Sequence, residues 1–142
     1  TGGDYTQPTD EIRQLPLTQR YFADKIVQLC RENGIQLILF SAPSPLCWSY
    51  QMHNGLAAYA QEQGLEYIDL HLKQQALGID WSQDTHDAGD HLNYSGSQKA
   101  SAYLAQYLTE HTSLQDHRGE AGYEAWDEDL TAYLSATGQT SQ

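Results

Sequence analysis

Basic residues are few in this chain. Seven lysines and arginines stand against 19 aspartates and glutamates, which gives the 142 residues a formal net charge of -12. Proteins that bind nucleic acids or anionic membrane surfaces present basic patches, so this balance argues against both classes of partner. The simplest interpretation of the surplus negative charge is that it keeps the protein soluble.

Cysteine is scarcer still, and Cys30 and Cys47 are the only two. Two cysteines do not make a disulfide framework, and neither has metal-ligand spacing to a histidine. Cys30 falls on the apolar face of a predicted helix, which is typical of a small core residue, whereas Cys47 falls in a predicted loop. No apolar run is long enough to span a bilayer, and no signal peptide is visible.

Phenylalanine occurs twice, whereas tyrosine occurs ten times. Much of the aromatic surface therefore carries a polar tip. Apolar residues make up 39% of the chain, and its 142 residues are the size of one ordinary domain. A chain of this length and composition can bury a real core.

The hydrophobic spacing predicts an α/β fold. Helices and strands are expected in alternation at residues 19–32, 35–40, 51–63 and 65–70. The first helix carries an apolar stripe of Phe22, Ile26, Leu29 and Cys30. This order predicts parallel strands joined by a right-handed crossover. Two strands are fewer than a parallel sheet needs, so we expect further strands from another copy of the chain or from sequence outside it.

The second half of the chain adds a loop and two helices. The loop at residues 79–94 is rich in Asp, Gly and His, and Ser95 then caps a helix, with Gln98 completing a capping box. A final amphipathic helix is predicted at residues 122–134. The expected organisation is an irregular N-terminal arm at residues 1–18, a folded domain at 19–134 and a disordered tail at 135–142.

Ligands of an open α/β sheet bind beyond the carboxyl ends of its strands. Three loops, at residues 41–50, 69–71 and 84–95, should meet there. Together they carry Trp48, Asp69, His86, Asp87, Asp90, His91 and Asn93.

His91 is the best candidate base in this set because imidazole titrates near neutral pH. A carboxylate on its other ring nitrogen would fix its tautomer. Asp87, across a glycine-containing turn, is ranked before Asp90, because neighbouring side chains in an extended loop diverge.

Other interpretations of these residues stay open. His91 and Asn93 could merely satisfy backbone groups of the loop. His86, Asp87, Asp90 and His91 could bind zinc, but their spacing matches no established template, so no metal is expected. Trp48 could line a substrate pocket or fill the core. The aromatic residues Trp126 and Tyr133 are expected in the core, and the remaining histidines, His53, His71, His111 and His117, are interpreted as ordinary surface or loop residues.

The segment Asp84-Thr85-His86-Asp87-Ala88-Gly89-Asp90-His91-Leu92-Asn93-Tyr94-Ser95-Gly96, followed by Lys99 and a Tyr/Leu helix, resembles a known block. It is similar to the C-terminal catalytic block of SGNH/GDSL-type hydrolases, most of all the DltD-like branch of Gram-positive gut bacteria. Supporting features are Pro43 and Trp48, the strand at 67–69, and the tail at 114–118 with Tyr123 and Trp126. The resemblance covers roughly Arg20 to Tyr133.

The resemblance implies a flavodoxin-like three-layer α/β/α sandwich, of which residues 19–134 would be the C-terminal half. It implies a serine nucleophile in a Gly-x-Ser motif, His91 as the base, and Asp87 or Asp90 as its orienter. The family usually places the aspartate three residues before the histidine, and that position is Ala88 here. No Gly-x-Ser block precedes the first strand, so the isolated chain is expected to have negligible esterase activity.

The function implied is that of a serine esterase or O-acyltransferase acting on an acylated carbohydrate, a small ester or a cell-envelope polymer. Trp48 and Asn93 would contact the substrate, and no cofactor is needed. The expected partner is the remainder of the hydrolase domain or a second copy of the chain. The expected location is extracytoplasmic or cell-envelope associated in a Gram-positive bacterium, with the cytoplasm as the alternative.

Two alternatives of other classes accompany this interpretation. The first is a non-catalytic module of the same fold, which binds carbohydrate or protein with Trp48 and the acidic loops. The second is a metal-dependent hydrolase, whose activity would be lost to chelators.

Overall fold

The computed structural model describes residues 7–138, except for the side chain of Ala88. The helices of this part are α1 (Leu17–Glu32), α2 (Tyr50–Gln63), α3 (Gln74–Leu77), α4 (Tyr94–His111) and α5 (Glu124–Thr137). The strands are β1 (Ile38–Ser41), β2 (Glu66–Asp69), β3 (Thr85–His86) and β4 (His91–Leu92), with a 3-10 turn at Asp87–Gly89. The chain divides into two compact units, one up to Leu104 and one from Ala105 onward.

The first unit is a mixed α/β structure, as the sequence predicts. Strands β1 and β2 pair in parallel, with Ile38 opposite Glu66 and Ser41 opposite Asp69. Helix α2 connects them, so both strands end at the same edge of the pair. The three-layer sandwich needs more strands than the two that pair in parallel within residues 7–138.

Both strands begin later than their apolar runs, and the first residue of each run belongs to the cap of the preceding helix. Gly34 has a φ of 65° after α1, and the next amide, that of Ile35, donates to the carbonyl of Cys30 at 2.8 Å. Gly64 repeats the pattern after α2, where the amide of Leu65 donates to the carbonyl of Ala60 at 2.8 Å. These capping bonds satisfy helical carbonyls at the end of each helix. The strands that follow have four residues each.

The apolar stripe predicted for α1 does not face the core, and that expectation is wrong. Val27 is the buried residue of the helix, whereas Phe22, Ile26 and Leu29 are each more than half exposed. Phe40 on β1 is more than half exposed as well. The spacing of apolar residues shows that a helix has an apolar face, but it does not show which face of the helix packs on the sheet.

Two further expectations are corrected at α4 and α5. Ser95 lies inside α4, and the side-chain oxygen of Asn93 accepts from the amide of Gly96 at 3.1 Å in the position expected of Ser95. Trp126 is 74% exposed and Tyr133 is also exposed, so neither is a core residue. Helix α5 continues to Thr137, past the predicted start of the tail, and residues 139–142 lie outside the described part.

The N-terminal arm is irregular from residue 7 to residue 16 but is fastened along α2. The amide of Arg13 donates to the carbonyl of Gln51 at 2.9 Å, and the side chain of Asn54 donates to the carbonyls of Thr9 and Glu11. Gly55 makes this approach possible, because a Cβ there would lie 2.0 Å from the carbonyl oxygen of Arg13. Gly55 is therefore required by the packing of the arm against α2, although glycine is a poor helix former.

Gly55→Ala should therefore destabilise the first unit and loosen the arm. At an open helix position the same change would stabilise by about 1 kcal/mol, whereas overpacking here should cost about 1–3 kcal/mol. Amide exchange at Arg13, together with denaturant unfolding, measures both effects. Ala102→Gly on the exposed side of α4 is the control, since it should lower stability without changing exchange at Arg13. A more stable Gly55→Ala variant with unchanged exchange would contradict this packing.

Candidate functional site

The three predicted loops meet at the carboxyl edge of the parallel pair. The indole nitrogen of Trp48 donates to Asp69 at 2.8 Å, and the amide of Ser44 donates to Nδ1 of His71 at 3.2 Å. The thiol of Cys47 donates to Oδ1 of Asp90 at 2.7 Å, which joins the first loop to the third. The expectation that these loops converge is confirmed, but their side chains form separate clusters.

The loop that carries His91 is a small hairpin. Strands β3 and β4 pair antiparallel, with His86 opposite His91, and the 3-10 turn joins them. Asp87 begins that turn with a φ of 53°, a left-handed conformation that costs energy for a residue with a Cβ. The neighbouring strand ends hold the turn in this geometry and point Asp87 at both histidines.

His91, His86 and Asp87 form one exposed cluster, which we call the hairpin cluster. Oδ2 of Asp87 lies 3.1 Å from Nδ1 of His91 and 3.0 Å from Nδ1 of His86. The two rings stack with centroids 5.7 Å apart. His86 first, and His91 to a smaller extent, hold the pKa of Asp87 below its usual range. The side chains of His91 and Asp87 are 65% and 61% exposed, so water screens this cluster.

Asp90 has a different partner. Its Oδ2 lies 3.7 Å from Nδ1 of His91, beyond a good hydrogen bond, while its Oδ1 accepts the Cys47 thiol. That bond is the main reason why the pKa of Cys47 is raised. A thiol held in the protonated form is a poor nucleophile. Asp87 is therefore the carboxylate in hydrogen-bond reach of His91.

Asn93 and Trp48, predicted as substrate contacts, are both engaged inside the fold. The amide nitrogen of Asn93 donates to the carbonyl of Gln83 at 2.6 Å, and its oxygen caps α4. Trp48 is half-buried and gives its only N–H of the ring to Asp69. The geometry gives Asn93 a structural role and leaves Trp48 with a partly open ring face. Substrate contact by either residue stays a prediction.

Asp84 fixes both ends of the hairpin. Its carboxylate is 1% exposed and accepts from Ser95 at 2.6 Å, from the amide of Asp80 at 2.7 Å and from Lys99 at 2.5 Å. Its carbonyl accepts from the amide of Asn93 at 2.9 Å. The Lys99 ammonium, then Ser95 and the Asp80 amide, hold the pKa of Asp84 at about 2.

Gly96 lets α4 approach Asp84, which we call the Asp84 anchor, closely. A Cβ at that position would lie 2.2 Å from the carbonyl oxygen of Asp84. Ser95 and Lys99 therefore bind the carboxylate of Asp84, and Gly96 between them leaves room for its backbone carbonyl. The sequence could have suggested Asp84 through this spacing on one helix face, but without the fold it gave no sign that the residue is buried.

A second buried carboxylate, Asp69, was expected in the cleft but not with these partners. Its Oδ2 accepts from Trp48, from Nδ1 of His53 at 2.8 Å and from the hydroxyl of Tyr67 at 3.2 Å. Its Oδ1 accepts from the amide of His71 at 2.9 Å. His53 was expected at the surface or in a loop, but it lies in α2 and is half-buried on Asp69. His71 lies in a loop, as expected, but it is buried and not at the surface.

No group of three or more His, Cys, Asp or Glu side chains within residues 7–138 is arranged to hold a metal ion. In the same stretch, none of the helices combines the length and the apolar character needed to cross a membrane.

No protein-family model, curated protein or solved structure matches the chain.

The Asp84 anchor makes stability depend on acid in a defined range. A carboxyl whose folded pKa lies near 2, against an ordinary value of 3.8, contributes of order 2 kcal/mol above about pH 4. That contribution is lost as the pH falls from about 4 toward 2. Asp84→Asn should therefore lower the free energy of unfolding at neutral pH and flatten its decrease over this range, as measured by denaturant unfolding at each pH.

Asp116→Asn is the matched control. Arg118 holds the pKa of Asp116 at about 2 as well, but both side chains are mostly exposed and water screens the pair. We expect this variant to leave the acid dependence nearly unchanged. An equal flattening in the two variants would show that Asp84 is no special anchor.

Proposed function

We propose that this chain supplies the histidine and aspartate of a serine esterase or O-acyltransferase that acts on an acylated carbohydrate or a related cell-envelope polymer. The observation that carries the proposal is the 3.1 Å contact between Nδ1 of His91 and Asp87. It lies on a fixed hairpin next to the carboxyl edge of a parallel pair, where α/β enzymes place their chemistry. The resemblance of residues 84–96 to the SGNH/GDSL block supports the same assignment.

In this proposal, the contact with Asp87 leaves Nε2 as the nitrogen of His91 that takes the proton. With Nδ1–H donating to Asp87, the lone pair of the neutral ring is on Nε2. A serine hydroxyl bonded to Nε2 would pass its proton there as its oxygen attacks the acyl carbonyl. The Asp87 carboxylate would stabilise the imidazolium, and His91 would return the proton to the leaving alcohol. Water or a sugar hydroxyl would then release the acyl group, which separates hydrolysis from transfer.

The nucleophile in this proposal is a serine on a segment other than the 142 residues. The exposed apolar residues Phe22, Ile26, Leu29 and Phe40 and the unpaired strand edges of the described part support such a partner. Further parallel strands and their helices would cover these surfaces and complete the proposed three-layer α/β/α sandwich. The same packing would shield His91 and Asp87 from water and strengthen their contact.

Variants of the two aspartates test the roles in the polypeptide encoded by the complete gene. His91→Ala should abolish ester hydrolysis or acyl transfer. Asp87→Asn should lower kcat on the order of 10²-fold, because the ring loses its preferred tautomer. Asp90→Asn is the matched control, and we expect a change of less than about tenfold since Asp90 bonds Cys47 instead. A larger loss in Asp90→Asn than in Asp87→Asn would reverse the assignment.

The isolated 142-residue chain should show no labelling by a serine-directed fluorophosphonate, because base and orienter without a nucleophile retain little of a triad's rate. Mass spectrometry of the treated chain is the measurement. Labelling of any serine within the chain would place the nucleophile here. Carbohydrate binding without turnover in the complete polypeptide would instead favour a non-catalytic binding module.

A further inference from the structure

A second histidine–aspartate pair lies at the carboxyl end of β2. Nδ1 of His53 is 2.8 Å from Oδ2 of Asp69, a shorter contact than that between His91 and Asp87. The side chain of Asp69 is 3% exposed and that of His53 is 23% exposed. Because little water reaches Asp69, its charge acts on the imidazole with less screening than in the hairpin cluster.

The partners of Asp69 determine where the proton of His53 lies. Trp48, Tyr67 and the His71 amide all donate to this carboxylate, so its oxygens act as acceptors throughout. His53 must then donate from Nδ1, and the neutral ring carries its lone pair on Nε2. The hydroxyl of Tyr67 also bonds that of Ser41 at 2.8 Å, which holds the tyrosine in place.

The side chain of His53 is partly exposed to water. Among the described residues, no hydrogen-bond partner of Nε2 is present, and this nitrogen is not sealed from water. Tyr50 meets the imidazole edge-on with centroids 5.4 Å apart, and the ring of Tyr67 lies 5.6 Å away on β2. The imidazole is thus fixed at one nitrogen, flanked by aromatic rings and open at the other nitrogen.

We propose that His53, oriented by Asp69, is a ligand-binding site whose Nε2 accepts a hydrogen bond from a hydroxyl of a neutral sugar. A lone pair on Nε2 requires a ligand that donates, and a hydroxyl does so without bringing charge. Aromatic side chains such as Tyr50 and Trp48 offer apolar surface with polar tips, which suits a sugar's apolar face and hydroxyl rim. The net charge of -12 disfavours an anionic ligand.

The sugar hydroxyl keeps its proton in this complex and donates a hydrogen bond to the lone pair on Nε2, so no covalent bond forms or breaks. Asp69 accepts from Nδ1–H throughout and holds the ring in this tautomer. The site does not depend on the serine chemistry proposed for His91, so either assignment can fail alone.

The first test is the tautomer of His53 in the 15N-labelled full chain. Correlation of ring nitrogens with ring protons by NMR, at mildly alkaline pH, should show a protonated Nδ1 and a bare Nε2. Free histidine favours the opposite tautomer, so a protonated Nε2 on His53 would overturn the proposal. This test needs no variant and therefore does not depend on how a substitution folds.

The second test is titration with methyl glucoside while the His53 nitrogens are observed. We expect a saturable shift at Nε2 of His53 and none at His117, whose Nδ1 also bonds a carboxylate, that of Glu120 at 2.8 Å, but in solvent. Tyr50→Leu should leave the tautomer unchanged and weaken the glucoside response about tenfold. An equal shift at both histidines, no shift at all, or a response to inorganic phosphate in place of the glucoside would overturn the proposed ligand.

Discussion

The candidate site depends on the hydrogen bonds that the buried carboxylate of Asp84 makes. The hairpin of β3 and β4 pairs only two residues on each strand, and an isolated hairpin of that size is not stable in water. Asp84 compensates by binding Lys99 and Ser95 of α4 with its carboxylate and Asn93 with its carbonyl. Asp84 thereby joins α4 to the hairpin, and this holds the strand that carries His91 in place.

Buried and exposed carboxylates have different roles at this edge. Asp84 and Asp69 are enclosed and take several donors each, so they set the positions of loops and rings. Asp87 and Asp90 lie nearer to water. Asp87 contacts the imidazoles of His86 and His91, and Asp90 accepts the thiol of Cys47. The Cys47 thiol occupies one oxygen of Asp90, and Asp87 is the carboxylate within hydrogen-bond distance of His91. Two of the four aspartates are therefore buried structural acceptors, and two are partly exposed beside ionisable side chains.

The alternation of helices and strands and the meeting of three loops followed from local patterns. Apolar periodicity and the glycines after α1 and α2 act over a few residues, so sequence alone reveals them. The environments of His53, His71 and Asp84 could not be predicted from the sequence, because burial of a polar side chain depends on partners distant in sequence. The predictions that the apolar faces of α1 and α5 lie in the core were wrong for a related reason. The spacing of apolar residues along a helix shows that a face exists but not what covers it.

The most direct test of the central claim is the state of the His91 ring with and without the Asp84 anchor. Nitrogen NMR of the wild-type chain and of Asp84→Asn reports which ring nitrogen carries the proton. We expect a protonated Nδ1 in the wild type, held by Asp87, and a shift toward the protonated Nε2 of free histidine when the anchor is removed. A wild-type ring protonated at Nε2, or an identical ring state in both proteins, would contradict the dependence of His91 on Asp84.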